Sequence, residues 1–388
     1  MDHVVFVGAG LAAAKAVERL RDEGYDGAVT VVGAEPHLPY ERPPLSKDLL
    51  LGQQADPTVL APGWWGEHGV TLHTGVRVTE IDRRGRRVRL DPGEWLDYDT
   101  LVLATGAEPR VPDLPGAGGA LYLRTLEDGG RLLEVLRGGG RLAIVGAGWI
   151  GLEVAAAARS HDVEVTVLEA AVLPLAAVLG PELGRHLVEL HRSHGVDLRT
   201  GVTVEAVLED GVRTSDGVVE ADHVLVAIGA VPAVGLAERA GLAVDGGIVV
   251  DERFRTSDAN VLAIGDVANA MNTRLGRRLR VEHWDNAIRQ GRAVADVLRG
   301  RDAVHDWLPY FYTDQFEFSM EYVGRSAPDD RVEIRGDRDA NEFLAYWLAA
   351  DDTVTAAMNV GVWDVNDRLR SMVGSRIAPA DLPGPSGE

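Results

Sequence analysis

The sequence contains no cysteine among its 388 residues. This absence excludes an active-site disulfide, a cysteine nucleophile and a thiolate-bound iron–sulfur cluster within the chain. No apolar run approaches the roughly 18 residues that a membrane-spanning helix needs. The first residues lead directly into a predicted strand, without a basic segment followed by an apolar one. We therefore expect a cytoplasmic protein that does not enter a membrane.

Lysine is scarce as well, because only Lys15 and Lys47 occur among 39 basic residues. All the remaining basic residues are arginine, which makes each lysine slightly more informative. The formal net charge of −21 argues against nucleic acids and anionic membranes as the main partners. The eleven histidines show no metal-ligand spacing, and we expect His191 and His194 on the solvated face of a helix. A chain of 388 residues predicts two or three domains.

A glycine-rich motif occurs twice. Each copy follows a predicted apolar strand, precedes an alanine-rich helix and leads to a second strand that an acidic residue follows closely. A single glycine turn also occurs for packing alone, but two in series, each with its acid, predict two dinucleotide-binding βαβ units on parallel sheets. The residues of the two copies are Gly8, Gly10, Ala13 and Glu35, and Gly146, Gly148, Gly151 and Glu169.

The acidic residue of the second copy predicts the nucleotide that this unit prefers. A carboxylate at the end of the second strand accepts hydrogen bonds from an adenosine ribose and repels a 2′-phosphate. After Glu169 no basic residue occurs until Arg185, so nothing local would hold that phosphate. We expect NADH to be preferred over NADPH, with a surface glutamate at a strand end as the alternative interpretation of Glu169.

Several further segments predict buried strands or helices. Short apolar runs at residues 101–104, 224–228 and 260–264 are typical of buried strands. A helix is expected from about residue 285 to residue 298, and residues 309–388 predict strands with one short helix. The chain is therefore expected to be an α/β protein.

Longer motifs resemble the oxygenase-coupled, NADH-dependent ferredoxin reductases over almost the whole chain. The specific segments are Arg-Pro-Pro-Leu-Ser-Lys at 42–47 and the segment at 309–315 that ends in Asp-Gln, whereas Thr-Gly at 105–106 and Gly-Asp at 265–266 occur in many flavoproteins with two dinucleotides. The resemblance implies two Rossmann-like dinucleotide-binding domains, for FAD and NAD, plus a C-terminal α+β domain. The FAD-binding domain would comprise residues 1–110 and 235–308, the NAD-binding domain 111–234 and the C-terminal domain 309–388.

The resemblance also implies site residues. Lys47 and Glu153 would form a catalytic ion pair near flavin N5, although an exposed lysine and a helix-surface glutamate are the alternatives. Asp266 would contact FAD, with a helix N-cap as its alternative. Tyr312 stands where many members of the family have tryptophan. The residues expected at FAD are Gly8, Gly10, Ala12, Ala13, Glu35, Arg42, Lys47, Val78, Arg124, Gly265, Asp266 and Trp284, and those expected at NAD are Gly146, Gly148, Ile150, Gly151, Glu169 and Gly229.

The implied reaction is hydride transfer from NADH to FAD, followed by single-electron transfer to a [2Fe–2S] ferredoxin that serves a P450 or a dioxygenase. Docking of an acidic ferredoxin on a chain of net charge −21 requires a local basic patch. Arg289 and Arg292, three residues apart on the predicted helix, are the first candidate. Arg274, Arg277, Arg278 and Arg280 are the second, and an ordinary solvated surface is the alternative for both.

Two other functions remain open for this scaffold. One is an NADH oxidase or a monodehydroascorbate-type reductase, which rapid oxygen-driven NADH turnover without a carrier would favour. The other is a protein like apoptosis-inducing factor, whose redox state controls partner binding. Slow hydride transfer and a long-lived reduced flavin–NAD complex would favour that function.

Overall fold

A computed structural model describes residues 2–53 and 56–385. The expected domain ranges also include residues 1, 54, 55 and 386–388, which lie outside the described residues. From residue 3 to residue 109 the elements are β1 (His3–Val7), α1 (Leu11–Asp22), β2 (Ala28–Val32), α2 (Trp64–Glu67), β3 (Val70–His73), β4 (Val78–Asp82), β5 (Arg87–Leu90), β6 (Trp95–Asp97), β7 (Thr100–Leu103) and β8 (Ala107–Pro109).

The middle of the chain repeats the alternation of strands and helices. From residue 126 to residue 239 the elements are α3 (Leu126–Gly138), β9 (Arg141–Val145), α4 (Trp149–Ser160), β10 (Glu164–Glu169), α5 (Ala176–Leu179), α6 (Pro181–Ser193), β11 (Asp197–Thr200), β12 (Val204–Leu208), β13 (Gly211–Thr214), β14 (Gly217–Glu220), β15 (His223–Val226), β16 (Ala230–Pro232) and α7 (Gly235–Arg239).

The last part of the chain is mostly β-structure after one long helix. From residue 248 onwards the elements are β17 (Ile248–Val250), β18 (Val261–Ala263), β19 (Ala268–Asn272), β20 (Arg277–Leu279), α8 (Trp284–Leu298), β21 (Tyr310–Gln315), β22 (Phe318–Gly324), β23 (Arg331–Asp337), β24 (Glu342–Leu348), β25 (Val354–Val360) and α9 (Asn366–Met372).

The described residues divide into two compact units. The first unit comprises residues 2–41, 56–108 and 231–309, and the second comprises residues 42–53, 109–230 and 310–385. The segment 42–53, which carries Arg42 and Lys47, thus packs with the second unit. Among the described residues, no helix combines the length and the apolar character needed to cross a membrane.

The first unit is built on a five-stranded parallel sheet in the order β18-β7-β1-β2-β3. Val5 pairs with Thr30 on one side and with Leu101 on the other, which puts β1 at the centre. The strands are nearly continuous apolar runs because helices cover parallel sheets. Helices α1 and α8 approach closely, since a Cβ at Gly291 would lie 2.4 Å from the carbonyl oxygen of Ala12.

The second unit repeats this plan with a four-stranded parallel sheet in the order β11-β10-β9-β15. Strand β9 is central, as β1 is in the first unit, so both predicted βαβ repeats are confirmed. In each sheet the strand order reverses beside this central strand. Ligands of open α/β sheets bind in the crevice at such a reversal, at the carboxyl ends of the strands.

The second unit also contains a five-stranded antiparallel sheet in the order β21-β22-β25-β24-β23. Its large buried side chains include Trp347, Tyr346, Phe318 and Phe343, all at most 1% exposed. A tight turn joins β21 to β22, and Phe316 in this turn has a φ of +54°. The end of β21 before this turn carries several polar side chains of the site.

Candidate functional site

The first glycine turn follows β1 at the carboxyl end of the strand. Gly8 has a φ of +109°, and a Cβ there would lie 2.1 Å from the carbonyl oxygen of Ala104, so only glycine fits. Gly10 is the N-cap of α1, and a Cβ at this position would meet nothing within 4 Å. No described side chain caps this helix. The open space and the uncapped amides fit a bound diphosphate.

The expected FAD residues of strand β18 lie at the same edge of the sheet as the glycine turn. Gly265 and Asp266 begin the 3-10 helix Gly265–Val267, which a single residue separates from the end of β18. Gly265 has a φ of +76°, and its amide donates to Oε1 of Gln290 at 2.7 Å. A Cβ at Gly265 would lie 3.3 Å from that of Ala12, which places residue 12 beside this turn.

The remaining FAD candidates of the first unit occupy separate elements. Ala13 is fully buried in α1, and Val78 begins β4. Glu35 follows β2 and accepts a hydrogen bond from the hydroxyl of Tyr40. Trp284 begins α8, and its Nε1 is buried without a hydrogen-bond partner among the described residues. A buried N–H without an acceptor is costly, and an acceptor on a bound cofactor would relieve that cost.

The second glycine turn has the same construction. Gly146 has a φ of +102°, and a Cβ there would lie 2.6 Å from the carbonyl oxygen of Ala227. A Cβ at Gly151 would lie 2.1 Å from the carbonyl oxygen of Gly146, so the third glycine allows helix and turn to pack closely. Gly148 is the N-cap of α4, whose first turn no described side chain caps. This turn therefore fits a second diphosphate.

Glu169, the last residue of β10, is held beside this turn. Its Oε2 accepts from the amide of Ala147 at 2.7 Å, and its Oε1 accepts from the amide of Ala171 at 2.8 Å. Each carboxylate oxygen has a second lone pair, so acceptor capacity for a ribose hydroxyl remains. Ile150 is 45% exposed on α4, and Gly229 follows β15 with a φ of +98°.

Lys47 and Glu153 form a nearly buried ion pair within the second unit. The exposed fractions of their side chains are 14% for Lys47 and 7% for Glu153. The ring centroid of Tyr312 lies 5.4 Å from Lys47 Nζ, within cation–π range. The alternatives of an exposed lysine and a helix-surface glutamate are therefore wrong.

Two hydroxyl groups complete the surroundings of Glu153. Ser46 Oγ donates to Glu153 Oε2 at 2.5 Å, and Thr313 Oγ1 donates to Glu153 Oε1 at 2.5 Å. Both residues lie in specific motifs of the sequence, but the motifs alone assign neither of them a role. The only signal was their position, because Ser46 adjoins Lys47 and Thr313 precedes the Asp-Gln pair.

Arg42 and Arg124 also meet in the second unit. Arg42 donates to the carbonyl oxygen of Arg124, and the amide of Arg124 donates to Asp128 at 3.0 Å. Asp128 also closes a capping box with Thr125 at the start of α3. These contacts hold the guanidinium of Arg42 and the backbone of Arg124, and two arginines at one place suit an anionic ligand.

The expectation of a solvated face is wrong for His191. This residue lies in α6 with an exposed fraction of 0%, and its Nε2 is 3.0 Å from Oε1 of Gln315. Burial lowers the pKa of His191 to about 4. His194 is the C-cap of α6, stacks on Phe316 with ring centroids 3.9 Å apart, and its Nε2 lies 3.1 Å from a carboxylate oxygen of Glu317. The described residues contain no cluster of acidic or histidine side chains arranged to hold a metal ion.

The two arginines of the first basic patch differ in their contacts. Arg289 donates from Nε to both oxygens of Asp285, at 2.9 Å and 2.8 Å, one helical turn earlier on α8. Arg292 is exposed on the same helix. In the second patch, Arg280 pairs with Glu282 and Arg278 donates to backbone carbonyl oxygens. Of these two arginines on α8, Arg292 is the more accessible to a partner, because Asp285 already neutralises Arg289.

Each unit thus presents a glycine turn at its central parallel strand, with an acidic residue at or just beyond the end of the second strand. This arrangement defines a dinucleotide-binding oxidoreductase with two nucleotide sites. The chain belongs to the pyridine nucleotide-disulphide oxidoreductase family, whose model matches residues 2–291, and a reductase C-terminal model matches residues 310–382.

The similarity to known proteins extends over nearly the whole chain. Putidaredoxin reductase of Pseudomonas putida is 38% identical over 397 residues, covering 95% of this chain and 92% of that protein. Rhodocoxin reductase of Rhodococcus erythropolis is 38% identical over 393 residues, covering 98% and 90%. The crystal structure of the covalent putidaredoxin reductase–putidaredoxin complex matches with a TM-score of 0.93 at 36% identity, covering 97% of this chain and 94% of that one. These matches confirm the family resemblance and the fold class.

Proposed function

We propose that this chain is an FAD-containing reductase that oxidises NADH and passes electrons singly to a [2Fe–2S] ferredoxin serving a P450 or a dioxygenase. The observation that carries the proposal is the pair of uncapped glycine turns in a chain without cysteine. Electrons cannot leave through a dithiol of this chain, so an external acceptor must take them from the cofactor, and we propose that this acceptor is a one-electron carrier. Relatives with 38% identity are reductases named for such carriers or for dioxygenase systems.

The residues divide between the two nucleotides. The turn at Gly8 and Gly10 would hold the FAD diphosphate, with Asp266 beside it. The turn at Gly146 and Gly148 would hold the NADH diphosphate, with Glu169 on the adenosine ribose. FAD supplies the chemistry when bound, because it accepts a hydride and releases its two electrons one at a time.

The Lys47–Glu153 pair would serve hydride transfer. Reduction adds negative charge to the flavin, and a fixed ammonium group stabilises such charge most effectively where water is excluded. Glu153 and the ring of Tyr312 hold Lys47 Nζ in one place. The tyrosine thus keeps an aromatic face on Lys47. We further propose a cytoplasmic location, where NADH is continuously regenerated.

The test is reduction of a panel of ferredoxins and rubredoxins by the FAD-loaded protein and NADH under anaerobic conditions. We expect at least one [2Fe–2S] ferredoxin to be reduced, two molecules for each NADH oxidised. Rapid oxygen-dependent NADH turnover without any carrier would instead identify an oxidase. A slowly formed and long-lived reduced complex would point to a redox-controlled binding protein.

A further inference from the structure

A chain of hydrogen bonds leads from α6 to the Lys47–Glu153 pair entirely through buried side chains. His191 Nε2 lies 3.0 Å from Gln315 Oε1, Gln315 Nε2 lies 3.1 Å from Thr313 Oγ1, and Thr313 Oγ1 lies 2.5 Å from Glu153 Oε1. The first three residues have exposed fractions of 0%, and Glu153 has 6%. All four residues belong to the second unit.

The donor and the acceptor of each of these three hydrogen bonds follow from the chemistry of the side chains. A threonine hydroxyl has one proton, and Thr313 donates it to the carboxylate, so its oxygen must accept from Gln315. The amide nitrogen of Gln315 therefore points to Thr313 and its carbonyl oxygen to His191. An amide oxygen can only accept, so His191 must donate from Nε2.

The surroundings of His191 agree with this assignment. Its Nδ1 is buried and has no hydrogen-bond partner among the described residues, which suits a bare lone pair better than an N–H. The ring of Phe316 lies edge-on to that of His191, with the two centroids 5.2 Å apart. Burial lowers the pKa of His191 to about 4, so the ring is neutral at physiological pH. A neutral imidazole with its proton on Nε2 meets every requirement.

We infer that His191 and Gln315 are positioning residues that fix the carboxylate of Glu153, and through it the ammonium group of Lys47. Every donor in the chain points towards Glu153, so each hydrogen bond polarises the next in the same sense. The amide of Gln315 donates to a lone pair of the Thr313 oxygen, so the hydroxyl proton cannot point at Gln315 and is left for Glu153. His191 in turn prevents the rotation of Gln315. The inference rests on the proposed role of the ion pair.

The test compares two histidines on the same helix. His186 is 8% exposed, and its Nε2 lies 2.7 Å from Oδ1 of Asn341, so it makes the same kind of contact without reaching Glu153. The variants of the FAD-loaded protein are His191→Leu, His191→Gln and the matched control His186→Leu. Glutamine can replace the lost donor, whereas leucine cannot.

The first measurement is stopped-flow reduction of the flavin by NADH. We expect His191→Leu to slow the limiting rate about threefold to tenfold with little change in NADH affinity. His191→Gln should restore the rate to within about twofold. His186→Leu should reduce at the wild-type rate, even if it unfolds more easily. Equal rates for His191→Leu and the wild type would overturn the inference, as would equal slowing by both leucine variants.

The second measurement needs no turnover. Urea unfolding of His191→Leu, Glu153→Gln and the double variant forms a thermodynamic cycle. We expect the double variant to change the unfolding equilibrium constant by at least about threefold less than the product of the single effects. The cycle with His186→Leu should be multiplicative. A multiplicative His191 cycle would also overturn the inference.

Failure of the inference is distinguishable from failure of the proposed function. If Lys47→Ala reduces the flavin normally, the proposed role of the ion pair fails, whatever the cycle shows. If Lys47→Ala is slow while His191→Leu is normal and its cycle multiplicative, only the positioning role fails.

Discussion

Thr313 Oγ1 lies 2.5 Å from Glu153 Oε1, although 160 positions separate the two residues in the sequence. This contact joins β21 of the antiparallel sheet to α4, the helix that follows the second glycine turn. The same carboxylate oxygen receives the ammonium group of Lys47, so the sheet, the helix and the segment 42–53 meet at one acceptor. The site thus depends on contacts between distant parts of the chain.

Removal of the Thr313 hydroxyl should impair flavin reduction and stability together. Thr313→Val keeps the side-chain shape but leaves Glu153 with one donor fewer and the amide of Gln315 without an acceptor. We expect a loss of about 1–3 kcal/mol in the free energy of unfolding, measured in urea, and slower flavin reduction in stopped flow. Thr355→Val is the matched control, since Thr355 Oγ1 also donates to a carboxylate, Oδ2 of Asp330, at 2.5 Å. Equal reduction rates in the two variants would separate Thr313 from the chemistry.

Lys47 should matter more for flavin reduction than for folding. Lys47→Ala removes the ammonium group, and we expect reduction by NADH to slow by at least roughly tenfold, equivalent to about 1.4 kcal/mol of lost transition-state stabilisation. The flavin absorbance of the purified variant checks that it retains FAD. Lys15→Ala is the control, because Lys15 is the other lysine of the chain and pairs with Glu18 on α1 at 3.0 Å. A Lys47→Ala protein that holds FAD and reduces at the normal rate would remove Lys47 from the site.

The repeated βαβ units could be predicted because their signals are local. A short apolar strand, a glycine turn and an alanine-rich helix are consecutive in sequence, and backbone sterics dictate the rest. Gly8 and Gly146 show this directly, since each has a φ above +100° and little room for a Cβ. The sequence likewise predicts the start of α8 to within one residue, since the helix is expected from Asp285 and begins at Trp284.

The environment of the ion pair could not be predicted in the same way. The burial of His191 results from packing against Gln315, the last residue of β21, and Phe316 in the turn that follows. A helix pattern alone indicates only which residues share a face, not what covers that face. Ser46 and Thr313 were quoted for their motifs, but their hydrogen bonds to Glu153 need three separate segments in place.

Glu169 should set the preference for NADH over NADPH. Glu169→Ala removes an acceptor for the ribose and the repulsion of a 2′-phosphate. We therefore expect the ratio of kcat/KM for NADH to kcat/KM for NADPH to fall at least about fivefold. The amides of Ala147 and Ala171 also lose their acceptor, which should loosen the turn somewhat. Glu164→Ala, at the exposed opposite end of β10, is the control and should leave the ratio unchanged. A wild-type preference for NADPH would contradict the assignment of NADH.

His305 should make the folded protein sensitive to acid. It is 1% exposed, and burial lowers the pKa of its imidazole to about 4. The unfolded chain, with a histidine pKa of about 6.5, binds this proton first. The titration of His305 therefore leaves the free energy of unfolding unchanged above about pH 6.5. As the pH drops towards 4, it lowers this free energy by roughly 3 kcal/mol.

The measurement is the free energy of unfolding of wild type and His305→Phe between pH 7 and pH 4. The aromatic replacement keeps the contact with Trp307, whose ring centroid lies 4.5 Å from that of His305. We expect a shallower decline for this variant. His223→Phe, at an exposed position of β15, should decline in parallel with the wild type. Parallel curves for all three proteins would show that His305 titrates alike in both states.

The docking of an acidic ferredoxin should depend more on Arg292 than on Arg289. Both arginines lie on α8, but the bifurcated hydrogen bond from Arg289 Nε to the two oxygens of Asp285 already offsets the charge of Arg289, whereas Arg292 is exposed. Charge pairs at the rim of an interface mainly accelerate encounter, and salt screens them. Arg292→Glu should therefore lower the second-order rate of ferredoxin reduction about threefold to tenfold at low ionic strength and much less at high.

Three controls make this prediction specific. Flavin reduction by NADH should stay at the wild-type rate in Arg292→Glu, because hydride transfer does not involve the carrier. Arg289→Glu should have the smaller effect of the two, and the double variant should have the largest. Arg84→Glu makes the same change of charge at an exposed position between β4 and β5, and it should leave the ferredoxin rate nearly unchanged. If Arg292→Glu and Arg84→Glu behave alike at low salt, α8 is an ordinary solvated face, and Arg274 and Arg277 become the next residues to test.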